Sequence, residues 1–235
     1  MKRAPPPLSQ AAAWAAAAAG ASYFGLFLKV SQELYEGANG PRVLSVDLSA
    51  AAWVAAARRA WLTRVAVEVT SLGSVTVLAL VVVVAAFGLR LTRDRHGAVL
   101  LASAALGAIF WTETLKSLIE RERPPLAARL VVTSGYSFPS GHSLASAAIL
   151  GALALIACRH LSSRALQLLA LVGTGIVVFA VAASRVYLGV HYLSDAAAGT
   201  SFGLAWTLSW GAVLSALEHR QAKRPPRSAG ALGGP

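Results

Sequence analysis

The sequence predicts an all-α, polytopic membrane protein built as a bundle of six transmembrane helices. Three observations carry that prediction. Of the 235 residues, 56% are hydrophobic and only 13% are charged, with a mean hydropathy of +0.61, where a soluble domain holds about a quarter charged residues. Long stretches of the chain contain no Asp, Glu, Lys or Arg. Nothing alternates polar with apolar residues as barrel strands would, which leaves helices, whose backbone groups satisfy one another in lipid.

Four charge-free runs, 4–28, 69–89, 165–184 and 196–217, are each long enough to cross about 30 Å of hydrocarbon as a helix. Two shorter runs, 97–112 and 143–158, reach that length by borrowing polar neighbours at their ends. The first run has a second reading. Met1-Lys2-Arg3 ahead of an alanine-rich stretch resembles a signal peptide, with small residues at Gly20–Ser22 for cleavage. The apolar run continues through Phe24, Leu26, Phe27 and Leu28, which favours a retained helix. Residues 43–57, with Asp47 inside and Arg58-Arg59 just after, read as an amphipathic helix lying at the interface. Residues 1–220 thus form one six-helix membrane domain. The tail 221–235, rich in Pro, Gly and Arg, is expected to be disordered.

A net charge of +11 raises the question of nucleic acid. The basic residues argue against it, because the predicted spans divide them between two faces. With the N-terminus cytoplasmic, the inner segments hold eleven basic residues and only two acids, Asp94 and Glu218. The outer face carries ten basic residues but eight acids. That bias is the positive-inside pattern and puts both termini inside. A single cysteine, Cys158, excludes an internal disulfide and a cysteine zinc cluster.

Three polar clusters are left over. Lys116 to Pro124 follows span three, Phe138 to Ser143 precedes span four, and Ser184 to Asp195 joins spans five and six. Counting crossings puts all three on one face. Singly, each has a structural explanation. Lys116, Arg121 and Arg123 suit snorkelling at a helix end. Pro139-Ser140-Gly141 suits a helix start, and His191 an interfacial histidine bonded to a carbonyl. Jointly they hold two histidines, an aspartate and several cations on one side of the bilayer, which those explanations do not account for.

The combination suits phosphate chemistry. Lys116, Arg123 and Arg185 concentrate positive charge with forked donors for phosphate oxygens. Ser140 and Gly141 at a helix N-terminus add backbone N–H groups and the positive dipole end, and Gly141 admits a ligand close to the backbone. His191 and Asp195 stand four apart, so on the opening turn of a helix they share a face. Asp195 then holds one imidazole nitrogen and leaves the other free to attack. His142 supplies the proton for the leaving oxygen. No metal or other cofactor is expected, since three cations in one cavity repel a divalent ion.

Lys116-x6-Arg123-Pro124, Pro139-Ser140-Gly141-His142 and Ser184-Arg185-x5-His191-x3-Asp195 resemble the three-part signature of the type 2 phosphatidic acid phosphatase superfamily. The motifs cover about eighty residues, and the complete ordered set is far more specific than a lone motif. The resemblance implies a six-helix membrane fold and a metal-independent phosphatase passing through a phosphohistidine. By position it implies His191 as nucleophile, Asp195 as its partner and His142 as proton donor, with Lys116, Arg123, Ser140, Gly141 and Arg185 binding phosphate. The related vanadium haloperoxidases are soluble, and six spans argue against their activity here. Glu68 to Ser74 also resembles a stretch of small bacterial members, where Asp is more usual than Glu68. Leu193 stands where many bacterial relatives have Pro. The expected partners are the bilayer and a lipid phosphate, with undecaprenyl diphosphate first and phosphatidylglycerol phosphate or phosphatidate next. The expected location is the bacterial inner membrane, with the site on the periplasmic or extracellular face.

Overall fold

The computed structural model describes residue 5 and residues 9–36 and 43–222. The described residues form eight α-helices and no strand: α1 (Gln10–Tyr35), α2 (Ser45–Ala57), α3 (Ala60–Ser71), α4 (Val75–Thr92), α5 (Arg95–Ile119), α6 (Gly141–His160), α7 (Arg164–Tyr187) and α8 (Leu193–Ala222). Apart from the first two residues of its range, which end α8, the tail expected to be disordered lies outside the described residues. So do the first residues of the run at 4–28.

Side-chain caps set several helix starts. Ser74, Asp94 and Ser140 accept hydrogen bonds from Val77, Gly97 and Ser143 N–H at the starts of α4, α5 and α6, each satisfying a donor the helix leaves orphaned. Five helices, α1, α4, α5, α6 and α7, are long and apolar enough to cross a membrane. The expected sixth span lies within α8, which is 30 residues long but is not among those five. Its buried residues include Ser201, Thr207 and Ser215, because α8 faces protein on several sides and needs less apolar surface than a lipid-facing helix.

Close packing of α6 on α8 forms the centre of the molecule. A Cβ at Gly199 would sit 2.6 Å from Ser140 O, and one at Gly203 would collide with Leu144 O. These two glycines, four apart, let the backbones approach as small residues do in membrane bundles, where the hydrophobic effect does not drive helix association. α1 lies along α8, with Phe27 packed edge-on against Phe202 at 4.9 Å between ring centroids. It continues without a break past Gly20–Ser22.

Two sequence readings change. The run at 69–89 does not begin a helix at its first residue. α3 ends at Ser71, and α4 starts only after Leu72-Gly73-Ser74. The helix at 45–57 is too short to span, at about 1.5 Å per residue. It is nevertheless not amphipathic in the expected sense. Val46, Leu48 and Trp53 point outward, while its one charge, Asp47, is 1% exposed. The helix is inverted because Asp47 has a buried partner, described below.

Candidate active site

The three polar clusters meet at one end of the bundle. Lys116 comes from the last turn of α5, His142 from the first turn of α6, Arg185 from the last turn of α7 and Asp195 from the first turn of α8. Arg123 and His191 come from the connecting loops. Antiparallel neighbours bring the C-terminal ends of α5 and α7 beside the N-terminal ends of α6 and α8. Cations from the former therefore converge on the positive dipole ends of the latter.

His191 is 3% exposed. An Arg123 guanidinium nitrogen lies 3.1 Å from its Nε2. A guanidinium can only donate, so Nε2 is the acceptor and the proton sits on Nδ1. Nδ1 lies 3.5 Å from Asp195 Oδ2 and 3.4 Å from Ser137 Oγ. Ser137 Oγ in turn donates a short hydrogen bond to Asp195 Oδ2. The expected Asp195–His191 pair is therefore present but looser than a direct hydrogen bond, with Ser137 beside it. The helical i, i+4 geometry expected for the pair is not found. His191 precedes α8, and Asp195 reaches back to accept the Tyr192 N–H at 2.8 Å, as the acid of a capping box does.

Burial pushes the His191 imidazole down to about 4, the Asp195 carboxylate pulls it partly back, and Arg123 and Arg185 push it further down. The ring is neutral at neutral pH, with its lone pair on the nitrogen that faces the cations. Burial also lowers Arg123 from its ordinary value, against the pull of Asp195.

His142 lies within electrostatic reach of Arg185, His191, Lys116 and Arg123. Arg185, 6% exposed, donates to Thr70 Oγ1 at 2.9 Å, and its buried Nε has no hydrogen-bond partner among the described residues. Arg123 is braced by the carbonyls of Gly135 and Val190, each at 2.8 Å. Among the described residues, none of Lys116, Arg123 and Arg185 has a carboxylate within ion-pair distance.

Two expected ligands sit differently. Ser140 is fully buried, its hydroxyl accepts from Ser143 N and Oγ, and its N–H donates to the Asp195 carbonyl at 3.1 Å. The side chain caps α6 and ties it to α8. At Gly141 a Cβ would lie 3.0 Å from Thr112 Cγ2. The missing side chain makes room for α5.

Sequence reading missed four residues. Arg121, offered as a snorkelling cation, is 2% exposed and forms ion pairs with both Asp195 and Asp47. Ser194 and Ser137 complete that network. Asp47 had one visible signal, a lone acid inside an otherwise apolar stretch. The two serines had none.

A neutral histidine beside cations that lack carboxylate partners among the described residues suits phosphate, and the surrounding helices suit lipid, so fold and site together define a membrane-bound phosphate-handling enzyme. The PAP2 superfamily model matches residues 96–218, and the chain belongs to that superfamily. It is a membrane lipid phosphatase of the PAP2 type. Phosphatidylglycerophosphatase B of Bacillus subtilis is 31% identical over 78% of this chain and 88% of its own length. The crystal structure of a transmembrane PAP2-type phosphatidylglycerolphosphate phosphatase from Bacillus subtilis superposes with a TM-score of 0.74 at 29% identity, covering 87% of this chain and 98% of that one. Aquifex aeolicus LpxE shares the fold, with a TM-score of 0.55 at 19% identity over 75% and 96% of the two chains.

Proposed function

We propose that the protein hydrolyses a terminal phosphate on a membrane lipid through a phosphohistidine at His191, with six membrane-spanning helices counting α8. The observation that carries this is the cradle itself: three neighbouring cations without carboxylate partners among the described residues, and beside them a neutral His191 whose Nε2 lone pair faces Arg123. Phosphate oxygens take the donors of Lys116, Arg123 and Arg185, which withdraws Arg123 from Nε2 and exposes the nucleophile. Nε2 attacks phosphorus in line as the bond to the leaving oxygen breaks, and His142, protonated once the phosphate anion offsets the surrounding cations, gives that oxygen its proton. Developing charge on the equatorial oxygens is held by the same cations and by first-turn N–H groups of α6. Asp195 and Ser137 stabilise the Nδ1–H of the charged ring. Water then attacks the phosphohistidine with His142 as base, releasing inorganic phosphate and restoring His191.

A lipid substrate fits a cavity of about 850 Å³ between α1, α2, α6, α7 and α8, lined by groups such as Leu26, Trp53, Gly175, Phe179 and Leu204. Val54, Val186 and Leu193 line both it and a smaller cavity of about 370 Å³ that reaches His191. The sequence reading favoured undecaprenyl diphosphate. Similarity to a phosphatidylglycerophosphatase B supports phosphatidylglycerol phosphate ahead of it. The basic-residue bias supports both termini in the cytoplasm and the site on the outer face of a bacterial inner membrane. The test is phosphate release by purified protein from phosphatidylglycerol phosphate, undecaprenyl diphosphate, phosphatidate and lipid A, with acid quench to trap a labelled phosphohistidine. The reading predicts fastest release from phosphatidylglycerol phosphate and a label lost in His191→Ala. Release without any acid-labile label would refute the covalent step, and label without phosphate release would indicate transfer to another acceptor.

A further inference from the structure

Behind the nucleophile lies a second polar layer that the chemistry above does not use. Arg121 extends one guanidinium nitrogen to Asp195 Oδ1 and to Ser194 Oγ, the latter at 2.8 Å, and the other to Asp47 Oδ2 at 2.7 Å. Asp47 closes the network from α2, accepting from Ser194 N at 2.9 Å and Ser194 Oγ at 2.7 Å. The Arg121 guanidinium also stands 4.3 Å over the Tyr192 ring. All four polar residues are at most 5% exposed.

We infer that Asp47 and Arg121 are positioning residues of the phosphatase site, tying the membrane-surface helix α2 to the carboxylate beside His191. This rests on the His191 mechanism proposed above and on which Asp195 lone pairs are taken. Arg121 occupies Oδ1 of Asp195, so Oδ2 alone is left to face Ser137, the Tyr192 N–H and the imidazole. One guanidinium shared by two carboxylates leaves a net negative charge in the layer, and that charge stabilises an imidazolium or phosphohistidine at His191. Without Asp47, Arg121 pairs with Asp195 alone and neutralises it. Without Arg121, two buried carboxylates face each other through Ser194 and repel. Either way the layer holds the ring less well, whereas the phosphate cations do not depend on it.

The layer also has a mechanical reading. α2 packs on α7 and α8, and among the described residues Asp47 makes its ion pair to Arg121 of the α5–α6 connection and its hydrogen bonds to Ser194 of α8. Because α2 contributes Trp53 and Val54 to the large apolar cavity, a lipid seated there bears on the same helix that fixes Asp195.

Asp47→Asn keeps shape and removes the charge. In purified, detergent-solubilised full-length protein it should lower kcat at least about tenfold, as loss of sub-ångström alignment does. KM for the lipid phosphate and the competitive Ki of inorganic phosphate should change less than about twofold, since the cradle is intact. Asp47→Glu should recover part of the loss. Should Asp47→Asn fail to fold by thermal unfolding, Ser194→Ala, which trims only the hydroxyl bridge, should still lower kcat with Ki unchanged. Wild-type kcat in the folded variant overturns the inference, and so does a parallel rise in KM and phosphate Ki, which would mean a merely structural role. Retained activity in His191→Ala instead overturns the proposed mechanism, leaving the two failures separable.

Discussion

Each end of the helix bundle buries an arginine between two carboxylates, yet the two ends do different work. At the end opposite the candidate site, Arg159 of α6 lies 2.7 Å from Glu218 and 3.6 Å from Asp94. His160 stands 3.2 Å from Asp94, and His96 stands 3.0 Å from Glu218. Arg159 there is matched by two acids, and the cluster joins the start of α5 to the ends of α6 and α8. At the site end Arg121 takes both acids, Asp47 and Asp195. Lys116, Arg123 and Arg185 are then left with none among the described residues. A buried cluster in which carboxylates match the arginine fastens helices; a cluster with cations to spare binds an anion. The difference lies in the charge balance of each cluster, not in its residue types.

The sharpest way to break this comparison is at the nucleophile. His191→Ala should abolish phosphate release while leaving thermal unfolding near that of the parent protein; activity close to wild type would remove His191 from the mechanism. Next comes Arg185→Lys. A point charge in place of a planar fork bonded to Thr70 should lower kcat/KM by about 10²–10³-fold, comparable with losing one oxyanion donor.

The far end should show the opposite pattern. Asp94, 1% exposed, caps α5 and meets Arg159 and His160. Asp94→Asn should cost about 3–5 kcal/mol of stability, as breaking a buried pair does, read as a lower unfolding midpoint. The folded fraction should keep its kcat/KM. A drop in kcat/KM without a stability change would mean the two ends communicate.

The pH profile tests the imbalance at the site directly. His191 is active as the neutral base, and its folded value of about 4 lies below the ordinary 6.5. It therefore stays neutral as pH falls through 6.5 and is protonated, and inactive, only near 4. After correction for the substrate phosphate's own ionisation at about 6, the acid limb of kcat/KM should lie at about 4. A residual limb at 6.5 would mean that burial and the cations do not act on this ring as described.

The smallest expected effect concerns the cavity. At Gly175 an added Cβ meets nothing within 4 Å, and the residue lines the 850 Å³ space. Gly175→Leu should raise KM several-fold for a long-chain lipid phosphate and leave a water-soluble short-chain phosphate unaffected. Equal effects on both would place the acyl chain elsewhere.

By itself, the sequence determined the helical membrane class, the approximate positions of the long helices and the residues proposed to bear the chemistry. Charge-free runs and ordered motifs are local patterns, and lipid punishes any unsatisfied backbone, so few folds can accept them. It also placed the three motifs on one side, because counting crossings needs no packing detail. The tertiary structure alone decided how the charges are shared. Nothing in the chain near Arg121 indicates that its partner is Asp47, 74 residues earlier, or that Ser137 stands between Asp195 and His191. It also gave Ser140 and Gly141 roles in capping and close packing, which depend on Ser143 and Thr112 arriving beside them. Which buried cation is neutralised, and which is left for a phosphate, depends on distances across the bundle that only the packed helices set.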